Sequence, residues 1–402
     1  MKKVLSLTMV LVLISIFAKA QMTDSIPDNF YFNSAEKMLR TKGNLKIGGY
    51  GGAHYNQPLS GDIRNNGKLD VHRFIMMMGY QFNSRTQLVT ELEFEHVKEI
   101  YVEQMFLQYK LNNFINLRGG LLLAPMGVVN LYHEPTVYNG VERPLLSHDI
   151  APSTWREIGF GASGLILPAF LKYQVYVMNG FKSYDNGAAQ IGGASGLRGG
   201  RQKAAESFIS SPNFTGRVEY FGIRGLNLGL SGYFGETQST LYDGIEKDDE
   251  LAKAKADSSV VGISMIGVDA RYSFEGFKFT GQLYFNGLDN VEEYNAFTSD
   301  KGGGDLGSSM FGYYVDFSYN VLKSAQTQKE LIPFIRYSNF DTHYSVSKNI
   351  ARNHAYQKDV ITTGLSLFLD SGAVVKADMQ FIKDGASDNF TTSFNAGFGV
   401  MF

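Results

Sequence analysis

The sequence has no cysteine, nine prolines and one tryptophan among 402 residues. Without cysteine it forms neither disulfides nor thiolate metal sites. Its formal net charge is −2, or −5 without the three lysines of the first 20 residues, which gives no indication of a nucleic-acid partner. After residue 20 no apolar run is long enough for a transmembrane helix. The abundant residues, 44 glycines, 30 phenylalanines and 23 tyrosines, therefore favour β structure.

The first 20 residues have the pattern of a cleaved export signal. Lys2 and Lys3 precede an apolar run over 4–17, and Ala18-Lys19-Ala20 follows as a small-x-small cleavage site. Gln21 is then the first mature residue. A retained membrane anchor is the alternative, but it needs a longer apolar run.

Apolar and polar residues alternate along most of the remaining chain. In one segment Leu88, Leu92 and Phe94 oppose Glu91 and Glu93, which predicts a strand with one apolar and one wet face. Sixteen such segments occur, at about 45–56, 68–82, 85–97, 100–111, 115–124, 156–166, 170–179, 213–222, 226–236, 260–274, 277–287, 309–321, 330–340, 358–369, 373–382 and 389–402. Most have about the length that a tilted strand needs to cross a bilayer.

The connections between these segments are sorted by length. Tight turns such as 83–84, 224–225 and 275–276 alternate with longer segments such as 125–155 and 180–212. This pattern is typical of outer-membrane barrels, which have short periplasmic turns and long extracellular loops. We predict an all-β, sixteen-stranded antiparallel transmembrane β-barrel. The predicted organisation is a signal peptide at 1–20, a periplasmic N-terminal segment with a short helix at 21–44, and the barrel at 45–402.

The last strand keeps its apolar alternation to the end of the chain. Phe394, Phe398 and Phe402 share a parity that is expected to face lipid, because unpaired backbone is costly in hydrocarbon. A terminal Phe402 also resembles the C-terminal signature that the barrel-assembly machinery reads in outer-membrane proteins. The alternative, an exposed edge strand of a soluble sheet, would be an aggregation hazard.

A barrel of this size suggests a pore. Sixteen to eighteen strands enclose an aqueous channel. The residues opposite the lipid-facing positions include seventeen charged side chains that suit a water-filled lumen: Asp70, Arg73, Glu91, Glu93, Glu95, Lys110, Arg118, Lys172, Arg217, Glu219, Asp269, Arg271, Lys278, Asp316, Arg336, Lys376 and Asp378. The sequence therefore predicts passive diffusion of small hydrophilic solutes.

Several stretches resemble a known family. They read GKLDVHRFIMMMGYQF, ELEFEHVKEIYVEQMFLQYKLNNFINLRGGLLLAPMG, YHEPTVYNGVERP, TWREIGFG and NFTGRVEYFGIRGLNLGLSGYFG. The chain from about residue 45 to its end resembles the Bacteroidota porins grouped with the phosphate-selective porin O and P family. That resemblance implies a homotrimer in the outer membrane of a Gram-negative bacterium. It also implies a preference for anions such as phosphate.

Two loops carry the candidate pore residues. General porins fold their third long loop inward, and here the third long connection, 125–155, holds four prolines and charges of both signs. The predicted constriction residues are Arg73, Arg118, His133, Glu134, Arg143 and Arg156. The next loop offers a basic patch at the pore mouth, formed by Arg198, Arg201 and Lys203. The alternative for both loops is a solvated surface segment with ordinary charges.

Other functions receive less support. The seven histidines are scattered and form no HExxH motif, so no metal site and no cofactor are expected. An outer-membrane hydrolase is the enzymatic alternative, but known examples have smaller, side-chain-filled barrels and this chain lacks GxSxG. A channel for hydrophobic substrates would need an apolar lumen. A general, non-selective porin remains open, because the inward charges nearly balance.

Overall fold

A computed structural model describes residues 30–61 and 64–402. The predicted signal peptide and residues 21–29 lie outside this range. The described chain forms one closed barrel in which every neighbouring pair of wall strands is antiparallel. The sixteen wall strands are β1 (Leu45–Pro58), β2 (Lys68–Gln81), β3 (Thr86–Glu95), β4 (Glu99–Lys110), β5 (Asn116–Leu123), β6 (Arg156–Ile166), β7 (Leu171–Met178), β10 (Asn213–Ile223), β11 (Leu226–Glu236), β13 (Gly262–Phe274), β14 (Phe277–Asp289), β15 (Ser309–Tyr319), β16 (Glu330–Ser345), β17 (Gln357–Asp370), β18 (Ala373–Asp384) and β19 (Thr391–Met401).

The remaining elements are not part of the wall. A small three-stranded sheet combines β8 (Lys182–Asp185), β9 (Ala188–Ala189) and β12 (Gln238–Ser239). The helices are α1 (Ser34–Arg40), α2 (Gly127–Leu131), α3 (Leu146–Asp149), α4 (Glu250–Asp257) and α5 (Val291–Thr298). No helix among the described residues is long and apolar enough to span a membrane.

The sixteen predicted segments and the barrel class are confirmed. Each segment coincides with a wall strand to within a few residues. The barrel closes where β1 pairs with β19, from Tyr50 opposite Met401 to Pro58 opposite Ser393. The final strand is therefore paired on both sides rather than left as an edge.

The two rims of the barrel differ in their connections. On the rim that we call the short-turn rim, strands are joined by segments such as 224–225, 275–276 and 371–372, and the longest connection is 320–329. The opposite, long-loop rim carries 124–155 and 179–212, although the β3–β4 turn there is only 96–98.

The outer wall is apolar. Large side chains with more than a third of their surface exposed form this face, including Phe74, Met76, Phe160, Val175, Phe214, Leu230, Ile266, Val268, Phe285, Phe317, Ile335, Leu365, Val375 and Phe398. Charged side chains occupy the alternate, inward positions, as the alternation predicts. Glu91 and Glu93, for example, are 0% and 2% exposed between neighbours that face outward.

The lumen is less open than the sequence suggests. Most of the charged residues on the inner wall are buried rather than free in a wide channel. Two segments fill the space: residues 30–41 lie in the short-turn half, and loop 124–155 crosses the middle. Both segments are held by contacts between residues far apart in sequence. The alternation along a strand does not predict such contacts.

Candidate functional site

Loop 124–155, which we call the constriction loop, enters the lumen from the end of β5. Its α2 reaches the opposite wall, where the Val128 N–H donates to Gln282 Oε1 at 3.0 Å. Gly127 makes this approach possible. Its φ is +66°, and a Cβ there would lie 1.8 Å from the hydroxyl oxygen of Tyr284.

The tip of the constriction loop is fixed to a different part of the wall. The Val141 N–H donates to Asp378 Oδ2 on β18 at 2.6 Å. Lys376 Nζ donates to the carbonyl oxygens of Tyr138 and Gly140 at 2.6 and 2.9 Å. Because these are charge-assisted hydrogen bonds in a buried setting, they hold the loop firmly across the lumen.

His133 and Glu134 anchor the base of the constriction loop. His133 Nε2 lies 2.9 Å from the Tyr50 hydroxyl and 3.4 Å from Glu103 Oε1. Glu134 accepts a 2.8 Å hydrogen bond from the Ser34 N–H. Both side chains are at most 2% exposed. These two predicted constriction residues are therefore buried in contacts that position the loop.

Residues 30–41 were expected to form a periplasmic helix ahead of the barrel, but they lie inside its short-turn half. Asn33 and Glu36 form a capping box that begins α1. Ala35 and Met38 join a buried apolar cluster on the inner wall. Lys172 Nζ holds the segment through a 3.0 Å ion pair with Glu36. The N-terminal segment thus fills part of the lumen near the short-turn rim.

A buried ionic network supports both inserted segments. Glu219 on β10 accepts from Arg217 at 3.1 Å and from Arg271 at 2.9 Å, and lies 3.3 Å from Lys172 Nζ. Lys172 also donates to the Tyr132 hydroxyl of the constriction loop at 2.7 Å. Since removing one member would leave a buried charge uncompensated, these inward charges act as structural pairs.

Among the described residues, two cavities adjoin the constriction loop, one on each side of it. The outer cavity, on the long-loop side, has a volume of about 360 Å³, and its charged or titratable lining residues are His54, His72, Arg73, Glu95, Glu142, Arg143, His148 and Arg198. The inner cavity, also about 360 Å³, has the charged lining residues Lys37, Arg271, Lys278, Asp316 and Arg336. Tyr138 and Pro144 line both cavities, so they lie between them.

A third cavity of about 400 Å³ opens beside the N-terminal segment. It is lined by four cationic side chains and one carboxylate: Arg40, Lys110, Arg118, Lys172 and Glu36. Arg118, a predicted constriction residue, therefore belongs to the short-turn half of the lumen. Its Nε donates to Gln108 Oε1 at 2.8 Å.

Cations crowd the outer cavity. Burial lowers the pKa of Arg143 below its ordinary value, and the neighbouring Arg73 cation lowers it further. Burial is also the main cause that lowers the pKa of Arg198, with further contributions from Arg143 and Arg73 against the opposing effect of Asp149. A bound anion would relieve this repulsion.

Three of the predicted residues meet in the outer cavity although they come from three segments. Arg73 lies on β2, Arg143 on the constriction loop and Arg198 on the following long loop. Arg73 is paired with Glu93 at 3.4 Å and Glu103 at 3.7 Å, whereas Arg143 and Arg198 are half-exposed. Arg143 and Arg198 are thus the more available cations.

The remaining predicted cations lie behind this cavity. Arg156 is 2% exposed and approaches Glu93 at 3.8 Å. Arg201 is buried and donates to the Ser153 carbonyl oxygen at 2.7 Å. Lys203 lies 5.4 Å from the Tyr101 ring centre. The residues of the predicted mouth patch therefore differ in position: Arg198 lines the outer cavity, whereas Arg201 holds the loop in place.

Sequence reasoning missed the residues that the fold brings in from a distance. Lys37 and Arg336 line the inner cavity, yet neither was a constriction candidate. Arg336 is among the charges predicted to face the lumen from their inward parity, but it was not placed at a constriction. No local signal connects Lys37 with the lumen, because its segment precedes the barrel.

Comparisons with known proteins agree with this architecture. No protein-family model matches the chain. A curated relative, an uncharacterized protein of Aquifex aeolicus (strain VF5), is 29% identical over 360 residues, which cover 86% of this chain and 77% of the relative.

Similar solved structures include several porins. The anion-selective porin from Comamonas acidovorans is 14% identical with a TM-score of 0.55, over 89% of this chain and 99% of its own. The outer membrane channel DcaP of Acinetobacter baumannii is 9% identical with a TM-score of 0.57, over 89% and 97%. Salmonella typhi OmpF is 12% identical with a TM-score of 0.56, over 90% and 98%. The chain has the porin fold.

Proposed function

We propose that the protein is an outer-membrane porin of a Gram-negative bacterium that lets small hydrophilic solutes diffuse passively, with a preference for anions such as phosphate. The observation that carries this proposal is the charge on the two cavities beside the constriction loop. Four cations face one carboxylate in the inner cavity, and three arginines face two carboxylates in the outer cavity.

Arginine suits this task physically. Guanidinium groups bind oxyanions through charge-assisted and often bidentate hydrogen bonds. An anion must also leave, so several weak sites in series serve transport better than one strong site. The arginines on each side of Tyr138 provide such a series. The similarity in fold to a porin described as anion-selective agrees with this proposal but does not carry it.

The experiment is a reversal-potential measurement on the purified protein in planar bilayers. With a potassium chloride gradient, we expect anions to be the more permeant ions. The preference should be stronger at low salt, because added salt screens the field of the arginines. Replacing chloride by phosphate tests the finer proposal. Cation preference would contradict the anion proposal and leave a general porin, whereas the absence of any conductance would contradict the channel itself.

Membrane insertion requires a separate test. We infer that lipid covers the apolar outer wall, that the barrel-assembly machinery recognises Phe402, and that three copies associate. One similar structure, OmpT of Vibrio cholerae, is described in a trimer form. We expect the protein to be extracted only with detergent, to show heat-modifiable gel migration and to have a trimeric mass in detergent. Solubility without detergent would contradict the membrane assignment.

The signal peptide is tested on the mature protein. We infer cleavage before Gln21, from the pattern at 18–20. Intact mass measurement of protein isolated from outer membranes should give a chain that begins at Gln21. A mass that includes residues 1–20 would support the retained anchor instead.

A further inference from the structure

Three histidines that are scattered in the sequence converge on the long-loop side of the lumen. The His54 and His72 rings stack with centroids 5.0 Å apart, and the His96 ring meets His72 edge-on at 5.8 Å. Asp70 completes the cluster, because its Oδ2 lies 2.6 Å from His96 Nδ1. His54 and His72 line the outer cavity, so the cluster adjoins the proposed solute path.

The barrel wall produces this convergence through a local irregularity. Gly52 pairs with Arg73 and His54 pairs with Asp70, so Val71 and His72 on β2 oppose Ala53 alone. Such a β-bulge re-aims the side chains beside it. His72 and Arg73 are consecutive, yet both contact groups on the inner side of the wall.

The β3–β4 turn supplies the third imidazole. His96 and Val97 both have left-handed backbone conformations, with φ values of 52° and 68°. Non-glycine residues adopt such values rarely, and valine especially so. The turn directs the His96 N–H to the His72 carbonyl oxygen at 3.3 Å and its ring toward Asp70. Backbone strain of this kind concentrates at functional sites.

We propose that Asp70, His72 and His96 form a binding site for a divalent transition-metal ion of the zinc class. One donor atom from each residue lies within 4.8 Å of the other two. In a tetrahedral zinc site with bonds of about 2.0–2.2 Å, donor atoms lie about 3.3–3.5 Å apart. Small side-chain rotations close this difference, since His96 and Asp70 are only partly buried, at 35% and 16% exposure.

The donor set selects the class of metal. Imidazole nitrogen suits zinc, copper and nickel, whereas calcium and magnesium prefer all-oxygen sites. Three protein ligands leave a fourth position, as in sites where zinc exchanges water or another ligand. Since His72 faces the outer cavity, that position is accessible to an entering anion.

The surrounding charges both oppose and support a bound cation. Arg73 and Arg143 lie near His72 and would repel a cation bound there. Glu142, which is 3.1 Å from His54 Nδ1, and Glu95, whose Oε1 is 4.0 Å from His96 Nε2, offset them. A metal ion in the cluster would therefore add positive charge next to the anion route.

A second group of possible ligands is a weaker candidate. Glu91, Glu103 and His133 also lie within reach of one another, but each is at most 2% exposed. His133 contacts Tyr50, and Gln104 donates to Glu91. These contacts explain this group as the anchor of the constriction loop without a metal.

The test is zinc binding to the full-length mature protein, purified without a histidine tag and stripped with a chelator. Calorimetric titration with zinc chloride should show one saturable site per chain, while calcium chloride should not. His96→Asn and His72→Asn should each weaken zinc affinity at least about tenfold. His354→Asn, at an exposed histidine outside the cluster, is the matched control and should bind zinc normally.

Folding is checked in every variant by heat-modifiable migration. His96 lies in a turn, so His96→Asn keeps the test valid even if His72→Asn disturbs β2. Copper or nickel binding that depends on the same residues would support the site with a different metal. The proposal is overturned if the wild-type protein binds no transition metal saturably. It is also overturned if a folded His96→Asn variant retains wild-type affinity.

Discussion

Replacing Arg143 by alanine tests the proposed anion route most directly. Arg143 is half-exposed at the outer cavity, and its guanidinium donates a 3.3 Å hydrogen bond to the His133 carbonyl oxygen. Removing it should disturb the fold little. A unit charge about 4 Å from a passing anion is worth about 1 kcal/mol in a water-like medium and about 4 kcal/mol at a dielectric constant near 20.

The lower figure suits a hydrated lumen and corresponds to a factor of about five. We therefore expect Arg143→Ala to lower the anion-to-cation permeability ratio about fivefold in a low-salt gradient. Arg198→Ala should act in the same direction. At 1 M salt the effect should shrink, because the Debye length falls to about 3 Å.

Lys329→Ala is the control, since Lys329 is an exposed cation on the short-turn rim. Arg156→Ala is a contrasting variant: it would leave Glu93 with one fewer buried partner and should lower folding yield more than selectivity. An unchanged permeability ratio in the Arg143→Ala, Arg198→Ala double variant would refute the assignment of these arginines to the solute path.

Three other variants test the architecture. Deleting residues 30–41 should increase single-channel conductance while heat-modifiable migration persists; unchanged conductance would show that the segment does not narrow the pore. Gly127→Ala should loosen the constriction loop and increase gating noise, because the added Cβ would overlap Tyr284. Gly244 is the control position: it has a similar positive φ but open space around it, so Gly244→Ala should behave as wild type. Phe402→Lys should lower the folded amount in the outer membrane, since a charge on the lipid face costs up to ~2–4 kcal/mol at midplane and less near an interface; wild-type levels would contradict the lipid-facing assignment of this 70%-exposed side chain.

The wall of the barrel was predictable because its information is local. Each strand places alternate residues in lipid and in the lumen, so a two-residue period appears in every segment that crosses the wall. β3 illustrates this, since Glu91 and Glu93 turn inward while Leu92 and Phe94 turn outward. The tight turns at 224–225 and 275–276 then fix the antiparallel order.

The candidate site was predictable only in part. Arg143, predicted from the charge and stiffness of loop 125–155, lines a cavity, whereas His133 and Glu134 are buried and hold the loop in place. A loop sequence does not reveal which of its polar groups meets a wall strand 237 residues away, as Val141 meets Asp378. The position of the loop depends on partners such as Asp378, which lies on a strand far from the loop in sequence.

The sequence by itself determined the number of strands, the face that each strand turns outward and the pairing of neighbours, since alternation and turn length act over a few residues. Tertiary structure decided what fills the lumen. Residues 30–41 and the constriction loop gain their positions from hydrogen bonds and ion pairs that link Ser34 to Glu134 and Lys172 to Glu36. The meeting of His72 and His96 likewise depends on a β-bulge and a strained turn, which the alternation of apolar and polar residues does not indicate.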